Sequence, residues 1–305
     1  MPTGRYAPSP TGTFHVGNLR TALAAWLFAR VADSSFLLRW EDLDVTADPR
    51  HEVTQARDLA ALGVEFDGVA VRQSERIETY DEVIAELSHR GLTYRCWCSR
   101  REIREAAAAP HGVTGHYPGT CRELTTAEVA RHTATGRPPA LRLRADRVDI
   151  DITDSLHGPV SRTMDDIVLR RGDGTPAYNL TVVVDDHLQG VGEVVRADDL
   201  LDSTPRHAYL QRVLGFTEPI WTHVPMVIDA QGDRLAKRDG SAGLEEWQQA
   251  GGTAGSFVAE AGRSLGIADL NDEATVDELL VGFDQFAVPL SPTVFDGAPK
   301  LSLAD

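Results

Sequence analysis

A short loop near the amino terminus carries residue types that can receive an anion. Residues 8–18 read PSPTGTFHVGN and lie between a β-prone segment and an apolar, helix-like segment. At such a junction, backbone N–H groups and the helix dipole can bind a phosphate. His15 can hydrogen-bond that phosphate, and Gly17 lacks a side chain that would hold a nucleotide away from the backbone. The loop therefore predicts a nucleotide site, although His-x-Gly alone is also typical of a plain turn into a helix.

Three cysteines lie close together along the chain. Cys96, Cys98 and Cys121 fall within a 26-residue window and are all the cysteines present. An odd number in one short window is a poor disulfide framework and is typical of a thiolate metal site in a reducing compartment. A structural zinc ion takes four ligands, and His116 is the favoured fourth by chemistry alone. Three reduced, buried cysteines without a metal are the alternative.

The composition limits the classes of function. The chain has 305 residues, 42% of them hydrophobic, and a formal net charge of −16. This charge argues against a protein that coats nucleic acid, because such binding depends on cations that neutralise phosphates. No apolar stretch reaches the roughly 18 residues of a membrane span, and the first residues lack the layout of a signal peptide. We therefore expect a cytoplasmic protein without membrane association, whose local basic face comprises Arg95, Arg100, Arg101 and Arg104.

The hydrophobic pattern predicts the elements that must position the loop. Strands and helices alternate along the first ninety or so residues, an order that favours a parallel sheet of the α/β class. The cysteine window interrupts this order and indicates an insertion. An apolar run at residues 180–184 precedes Asp185 and Asp186, and we expect the parallel sheet to resume there. The predicted strands span residues 4–7, 35–40, 140–144 and 148–153, and the predicted helices span residues 19–31, 49–62 and 77–90.

The longest motif points to a family. Residues 5–30, RYAPSPTGTFHVGNLRTALAAWLFAR, resemble the first signature of the class I glutamyl and glutaminyl tRNA synthetases, in which the HIGH motif commonly reads HxGN. Residues 234–238, RLAKR, resemble a degraded KMSKS, the second signature; read alone they are a solvated basic loop. The resemblance implies that ATP binds with Mg²⁺ and that Lys237 stabilises charge on its phosphates. The implied ATP-binding residues are His15, Gly17, Asn18, Arg234 and Lys237, of which His15, Asn18 and Lys237 are also catalytic.

The amino-acid pocket is implied by several short motifs. Glutamate carries two carboxylates and an ammonium group, so its pocket needs arginines and an acid. By resemblance, Arg5 and Arg196 hold the carboxylates, Glu41 holds the ammonium group, and Ser9 and Tyr178 orient the ligand. Without the resemblance, Glu41 reads as part of a charged loop and Tyr178 as a core aromatic. The implied glutamate site is Arg5, Ala7, Ser9, Glu41, Tyr178 and Arg196.

Two further positions bear on this resemblance. Val182 stands where many glutamyl enzymes have asparagine, and we expect one lost hydrogen bond to weaken glutamate binding by roughly 0.5–1.5 kcal/mol. The truncated glutamyl enzymes place a tyrosine near the last cysteine, which here is Tyr117. The resemblance therefore implies a structural zinc site of Cys96, Cys98, Tyr117 and Cys121, with His116 as the other candidate for the fourth ligand. The stretch RQSER at residues 72–76 is family-like, but its chemistry indicates no role.

The extent of the resemblance indicates a subfamily. Only 67 residues follow Arg238, fewer than an anticodon-reading half would need. This resembles the glutamyl-Q tRNA(Asp) synthetases, which implies activation of L-glutamate with ATP and its transfer to queuosine at the wobble position of tRNA(Asp). The alternatives are a truncated enzyme that charges tRNA(Glu) and a catalytically silent RNA-binding paralogue. We expect a monomer.

The resemblance also implies a division into domains. Residues 1–92 and 166–240 are expected to form the two halves of a Rossmann-like catalytic domain, the second half carrying the KMSKS-like loop. Residues 93–165 are expected to form an inserted, zinc-containing acceptor-type subdomain. Residues 241–305 are expected to form a short helical C-terminal appendage.

Overall fold

The computed structural model describes residues 3–107, 117–235 and 242–303. No helix within these ranges is long and apolar enough to cross a membrane. The strands are β1 (Gly4–Tyr6), β2 (Phe36–Trp40), β3 (Val71–Arg72), β4 (Thr93–Cys96), β5 (Ala140–Leu143), β6 (Asp149–Asp154), β7 (Gly158–Thr163), β8 (Ile167–Arg170), β9 (Glu193–Ala197), β10 (Ile220–Val224), β11 (Val227–Ile228), β12 (Thr293–Val294) and β13 (Ser302–Leu303). The helices are α1 (Val16–Val31), α2 (Pro49–Ala61), α3 (Ile77–His89), α4 (Arg100–Ala107), α5 (Thr126–Ala134), α6 (Tyr178–Leu188), α7 (Thr204–Leu214), α8 (Leu244–Gln249), α9 (Ala254–Ser264) and α10 (Val276–Gly282).

A mostly parallel sheet forms the centre of the fold, as the alternation of elements predicts. Its strands lie in the order β3-β2-β1-β9-β10-β6-β7, with β1 and β9 joined by a parallel bridge between Thr3 and Val191. The strand pairs are parallel except for β6 and β7, which form an antiparallel hairpin. The strand order changes direction between β1 and β9, the kind of switch point at which open α/β sheets bind ligands.

Helix α1 packs against this switch point and is buried on nearly all sides. It contacts β1 and β9 on one side and α9 and α10 on another. Small side chains allow the close approach: a Cβ on Gly4 would lie 2.9 Å from the Cβ of Ala29. The residue before α1 is therefore held at the carboxyl end of the central strands, where the phosphate-binding loop was predicted.

The apolar run at residues 180–184 is helical, so the prediction of a resumed strand there is wrong. It forms the middle of α6, and Leu180, Val182, Val183 and Val184 are all nearly inaccessible. They belong to a second core that also includes residues of α3, α7 and β8. A short apolar run buried on several sides has no helical periodicity, and tertiary burial overrides the strand preference of valine.

A second, antiparallel sheet of β4, β5 and β8 lies outside the central sheet. The hairpin of β6 and β7 falls between β5 and β8 in the sequence, yet β6 pairs with β10 of the central sheet. The chain therefore returns to the central sheet through β6 before residues 167–170 complete the antiparallel sheet as β8. The predicted domain boundary at residue 165 stays a prediction.

The C-terminal residues share the main core. Phe257 and Leu279 are fully buried in the same cluster as the apolar side chains of α1, and the ring of Phe283 meets that of Phe28 edge-on at 5.2 Å. The predicted short helices are present as α8, α9 and α10, but β12 and β13 were not anticipated. They pair with β11 to form a small sheet. The C-terminal residues therefore belong to the same core as α1.

A buried arginine joins α1 to the C-terminal helices. The guanidinium of Arg20 donates from Nε to the Ser264 hydroxyl at 2.7 Å, from Nη2 to the Ser264 carbonyl at 3.1 Å and from Nη1 to the Pro225 carbonyl at 2.8 Å. Burial lowers the pKa of Arg20 to about 10, which leaves it charged at neutral pH. All three acceptors are neutral, and they link three separate parts of the chain.

We expect Arg20→Met to destabilise the protein by about 3 kcal/mol, because two buried carbonyls would lose their donors. Urea unfolding followed by circular dichroism measures the effect. Arg50→Met is the control, since Arg50 makes its ion pair with Asp48 on the exposed surface and its loss should barely change the midpoint. Equal midpoints for the two variants would show that Arg20 does not anchor the C-terminal helices.

Candidate active site

An open cavity of about 700 Å³ lies at the switch point of the sheet. Its walls come from the loop after β1, the start of α1, the end of β9 and the first residue of α6. The volume is within the range typical of small-molecule sites. The sequence-predicted residues that line it are Arg5, Ala7, Ser9, His15, Asn18, Glu41, Tyr178, Arg196 and Arg234.

His15 caps helix α1. Its Nδ1 accepts hydrogen bonds from the backbone N–H of Gly17 at 3.1 Å and of Asn18 at 3.3 Å, while the Asn18 side chain accepts from the backbone N–H of His15. Because Nδ1 is an acceptor, the proton of the neutral imidazole is on Nε2. The imidazole thus satisfies the helix end with one nitrogen and can donate with the other.

Gly17 packs closely against the capping ring. It does not line the cavity, and a Cβ at this position would lie 3.0 Å from the imidazole of His15. The missing side chain therefore makes room for the capping ring, and the predicted approach of a nucleotide to Gly17 stays a prediction. The spacing His-x-Gly-Asn reflects this local packing, since the two N–H groups that bind Nδ1 belong to the glycine and the asparagine.

A buried ionic cluster underlies the part of the cavity lined by Arg5 and Glu41. The guanidinium of Arg39 is fully buried and donates to Asp186 at 2.8 Å and to Glu41 at 3.2 Å. Asp186 also accepts from Nε of Arg5 at 3.3 Å. Burial disfavours the charged form of Asp186, but Arg39 and Arg5 outweigh it and lower the pKa of that carboxyl. Arg39, which sequence reasoning missed, lies in β2, two residues before Glu41.

Glu41 lies in the wall of the cavity and is nearly buried. Burial raises the pKa of this carboxyl, although Arg39 and Arg5 act in the opposite direction. The next residue, Asp42, accepts hydrogen bonds from the backbone N–H and the hydroxyl of Ser74. The RQSER stretch therefore anchors the loop that carries Glu41, a role that only the three-dimensional contact reveals.

Tyr178 and Arg196 line another part of the cavity wall. Tyr178 is 42% exposed, so it is not a core aromatic. Arg196 is buried and donates to the imidazoles of His223 and His207 and to the hydroxyl of Thr204. Val182, by contrast, belongs to the second core and does not line the cavity.

Two residues near the loop of His15 and near Arg234 were not predicted. Asp199 lines the cavity and pairs with Arg234 at 2.5 Å. Gln55 donates to the carbonyls of Ser9 and Gly12 and so holds the loop before His15. Asp199 follows Arg196 by three residues, in RADDLL, and this proximity was the available signal. Lys237 lies outside the described residues.

The three cysteines converge at the end of β4 and in the segment around residue 121. Their sulfur atoms all lie within 4.8 Å of one another, and Cys98 and Cys121 are 3.5 Å apart. The hydroxyl of Tyr117 lies 3.3 Å from the sulfur of Cys96 and 3.8 Å from that of Cys98. Hydrogen bonding from Cys98 lowers the pKa of Cys96 to about 4. This cluster could hold a metal ion; His116 lies outside the described residues.

Comparison with known proteins places this fold and site in a class. The family model for the catalytic domain of class I tRNA synthetases (E and Q) matches residues 3–295. A solved structure of a glutamate tRNA ligase from Elizabethkingia meningosepticum, in complex with its amino acid, superposes with a TM-score of 0.80 at 26% identity. That alignment covers 96% of this chain and 66% of the ligase chain. The architecture is that of a class I synthetase catalytic domain.

Curated relatives narrow the assignment. A protein of Nocardia farcinica named Glutamyl-Q tRNA(Asp) synthetase is 53% identical over 95% of this chain and 92% of its own length. One of the same name from Cutibacterium acnes is 48% identical over 88% of this chain and 77% of its own length. The chain belongs to this family, the glutamyl-Q tRNA(Asp) synthetases.

The capping role of His15 can be separated from a role toward ATP. We expect His15→Asn to keep the stability of the protein, because asparagine is among the best N-cap residues. The same variant should slow glutamate-dependent ATP–pyrophosphate exchange by about 10²-fold, as expected for loss of a donor to transition-state charge. Thermal unfolding and exchange rates are measured side by side, with His15→Ala as the variant that loses both functions. Normal exchange by His15→Asn would leave His15 with the cap alone.

Proposed function

We propose that this chain activates L-glutamate with ATP and transfers it to queuosine in tRNA(Asp). The observation that carries the proposal is that Arg5, Arg196 and Glu41 line the same cavity as His15 and the proposed phosphate-binding loop. Two cations and one acid match the two carboxylates and one ammonium group of glutamate. The name shared by the relatives supplies the acceptor.

In the proposed complex, the ligand groups follow the charges of the cavity. Arg5 and Arg196 bind carboxylate oxygens, and Glu41 accepts hydrogen bonds from the ammonium group. Tyr178 closes the side of the pocket, and Ala7 and Ser9 form its wall. Glutamine would present a neutral amide to a cationic site, so the arrangement favours glutamate.

The first step is proposed to be adenylation. An oxygen of the glutamate α-carboxylate attacks the α-phosphorus of ATP in line, and the bond from that phosphorus to the bridging oxygen breaks. Pyrophosphate leaves, with its charge shared by the Mg²⁺ that accompanies ATP and by the cations of the protein. In this proposal, Nε2 of His15 donates a hydrogen bond to a phosphate oxygen of ATP. The side-chain oxygen of Asn18 accepts from the backbone N–H of His15 and so holds His15 in position. Arg234 and Lys237 complete the proposed set of cations.

The second step is proposed to be acyl transfer. A hydroxyl of the cyclopentene diol of queuosine forms a bond to the glutamyl carbonyl carbon, and its proton passes to a phosphate oxygen of the departing AMP. The bond from that carbon to the oxygen of AMP breaks, and AMP leaves with both electrons. The mixed anhydride is already activated, so this step asks little of the protein beyond orientation.

We propose that the cysteine cluster holds a structural zinc ion through Cys96, Cys98, Cys121 and Tyr117. Tetrahedral zinc requires sulfur atoms about 3.8 Å apart and a ligand oxygen about 3.6 Å from each sulfur. The observed separation of 3.5 Å between the sulfurs of Cys98 and Cys121 is slightly shorter than the tetrahedral value, and the separations of 3.3 and 3.8 Å from two sulfurs to the phenol oxygen lie on either side of the value for oxygen. The ion would fasten the segment around residue 121 to β4, an edge strand of the sheet of β4, β5 and β8. It would thereby stabilise the proposed acceptor-type subdomain.

The zinc proposal predicts one ion per chain. We expect Tyr117→Phe to lower zinc affinity at least tenfold, since even outer-shell changes typically cost about 10–100-fold. Elemental analysis and competition with a chelator measure it, with His116→Ala as the control that should keep the metal. Loss of zinc in the control and its retention in Tyr117→Phe would assign the fourth position to the histidine.

The acceptor is tested with defined tRNAs and radioactive glutamate. We expect tRNA(Asp) that contains queuosine to be labelled, even after removal of its 3′-terminal adenosine. The same tRNA with guanosine at the wobble position should stay unlabelled, because it lacks the cyclopentene diol. Periodate, which cleaves vicinal diols, should abolish labelling unless the queuosine diol is first protected.

A second acceptor has some support among the relatives. A glutamate–tRNA ligase of Synechococcus is 40% identical over 81% of this chain, although the match spans 53% of that protein. Label on tRNA(Glu) that disappears with its terminal adenosine would favour this function. Absence of glutamate-dependent ATP–pyrophosphate exchange would leave only a silent RNA-binding protein.

A further inference from the structure

Arg196 is held in the cavity wall by neutral groups alone. Nε donates to Nε2 of His223 at 3.0 Å, Nη1 to Nδ1 of His207 at 3.3 Å and Nη2 to the hydroxyl of Thr204 at 2.8 Å. Among the residues that the structure describes, no carboxylate lies within 4.0 Å of its nitrogens. Arg39 differs in having Asp185, Asp186 and Glu41 as ionic partners. The charge of Arg196 is therefore left for a ligand.

The tautomer of His223 is determined by its neighbours. An arginine can only donate, so Nε2 of His223 must be an acceptor and its proton must be on Nδ1. That Nδ1–H donates to Oδ2 of Asp154 at 2.6 Å, and both side chains are fully buried. Burial lowers the pKa of His223 despite the partnership with Asp154, which keeps the ring neutral at neutral pH.

The tautomer of His207 is determined in the opposite sense. Its Nδ1 accepts from Arg196, so its proton is on Nε2, where it donates to the side-chain oxygen of Asn179 at 3.0 Å. Burial lowers the pKa of His207 well below its usual value, and the neighbouring Arg196 acts in the same direction. The two imidazoles thus present lone pairs to the same guanidinium from two sides.

We propose that Asp154 with His223, and Asn179 with His207, are two positioning pairs that lock the imidazole tautomers and thereby aim Arg196 at a carboxylate of glutamate. This inference rests on the proposed function, in which Arg196 binds that carboxylate. If either ring took the other tautomer, an N–H would face an N–H of the guanidinium. Arg196 would then lose an acceptor and move from its position in the cavity wall.

Asp154→Asn is the isosteric variant that separates position from fold. Oδ1 of Asp154 accepts from the backbone N–H groups of Leu156 and His157 at 3.0 Å. In the variant, the amide oxygen is the only acceptor for these two donors, so the NH₂ group faces Nδ1 of His223. The ring must then carry its proton on Nε2, against Nε–H of Arg196. Such a change of tautomer leaves the geometry nearly intact while it removes function.

We expect Asp154→Asn to raise the KM for glutamate in ATP–pyrophosphate exchange by about ten- to a hundredfold, the usual effect of one charge-assisted hydrogen bond. The KM for ATP should stay within about twofold. Asn179→Ala, at a half-buried position, should raise the glutamate KM less and serves as the second variant. Asp166→Asn is the control, because Asp166 is also a buried acid and accepts from the backbone N–H of Ala145, which follows β5. It should lower stability and leave both KM values unchanged.

A tautomer measurement does not depend on activity. In protein labelled with ¹⁵N-histidine, the ring nitrogen shifts should show His223 protonated on Nδ1 in the natural sequence and on Nε2 in Asp154→Asn. A folded Asp154→Asn variant with an unchanged glutamate KM, or with an unchanged tautomer, would overturn the inference. If the natural sequence shows no glutamate-dependent exchange at all, the proposed function fails instead, and the tautomer result still stands or falls by itself.

Discussion

The ion pair between Arg39 and Asp186 is the contact on which the cavity depends. It joins β2 to α6 at 2.8 Å with the guanidinium fully buried, and Asp186 in turn holds Arg5. Removing one partner of such a pair leaves an uncompensated buried charge, which is strongly destabilising, whereas the intact pair mainly fixes geometry. The adjacent Asp185 binds Tyr80 and Arg76, so α3 is drawn into the same cluster. The positions of Arg5 and Glu41 follow from this arrangement.

The arginines of the cavity differ in what surrounds them, and this difference gives each a function. Arg39, which lies beneath the cavity, is neutralised by carboxylates and has a structural role. Arg5 shares Asp186 and the carbonyl of Val195, which leaves it partly compensated. Arg196 has imidazoles and a hydroxyl as partners and retains its charge. A ligand carboxylate that meets Arg196 gains a charge-assisted hydrogen bond in a buried setting, where such bonds are strong.

Packing and chemistry also coincide at the start of α1. The imidazole of His15 needs the space that Gly17 leaves, and the cap it forms orients the ring toward the cavity. Because α1 is itself buried between the sheet and the C-terminal helices, the loop has little freedom to shift. Arg20 of α1 further restrains this helix by donating to the hydroxyl and the carbonyl of Ser264 in α9. The residues after 241 thus contribute to the rigidity of the site although none of those described lines the cavity.

The sequence alone indicated the α/β class and placed β1, β2, β5, β6, α1, α2 and α3 to within a few residues, because hydrophobic periodicity is a property of contiguous residues. The family resemblance, carried by local motifs, supplied nine of the residues that line the cavity. The sequence predicted strand character at 180–184, where α6 forms, since an apolar run buried on all sides has no periodicity to read. It assigned no role to RQSER, to Arg39 or to the two histidines around Arg196. Each of these has at least one hydrogen-bond partner more than 20 residues away in sequence, and burial shifts the pKa of both histidines. Only the tertiary structure decides such pairings, because desolvation and hydrogen-bond geometry depend on which segments meet in space.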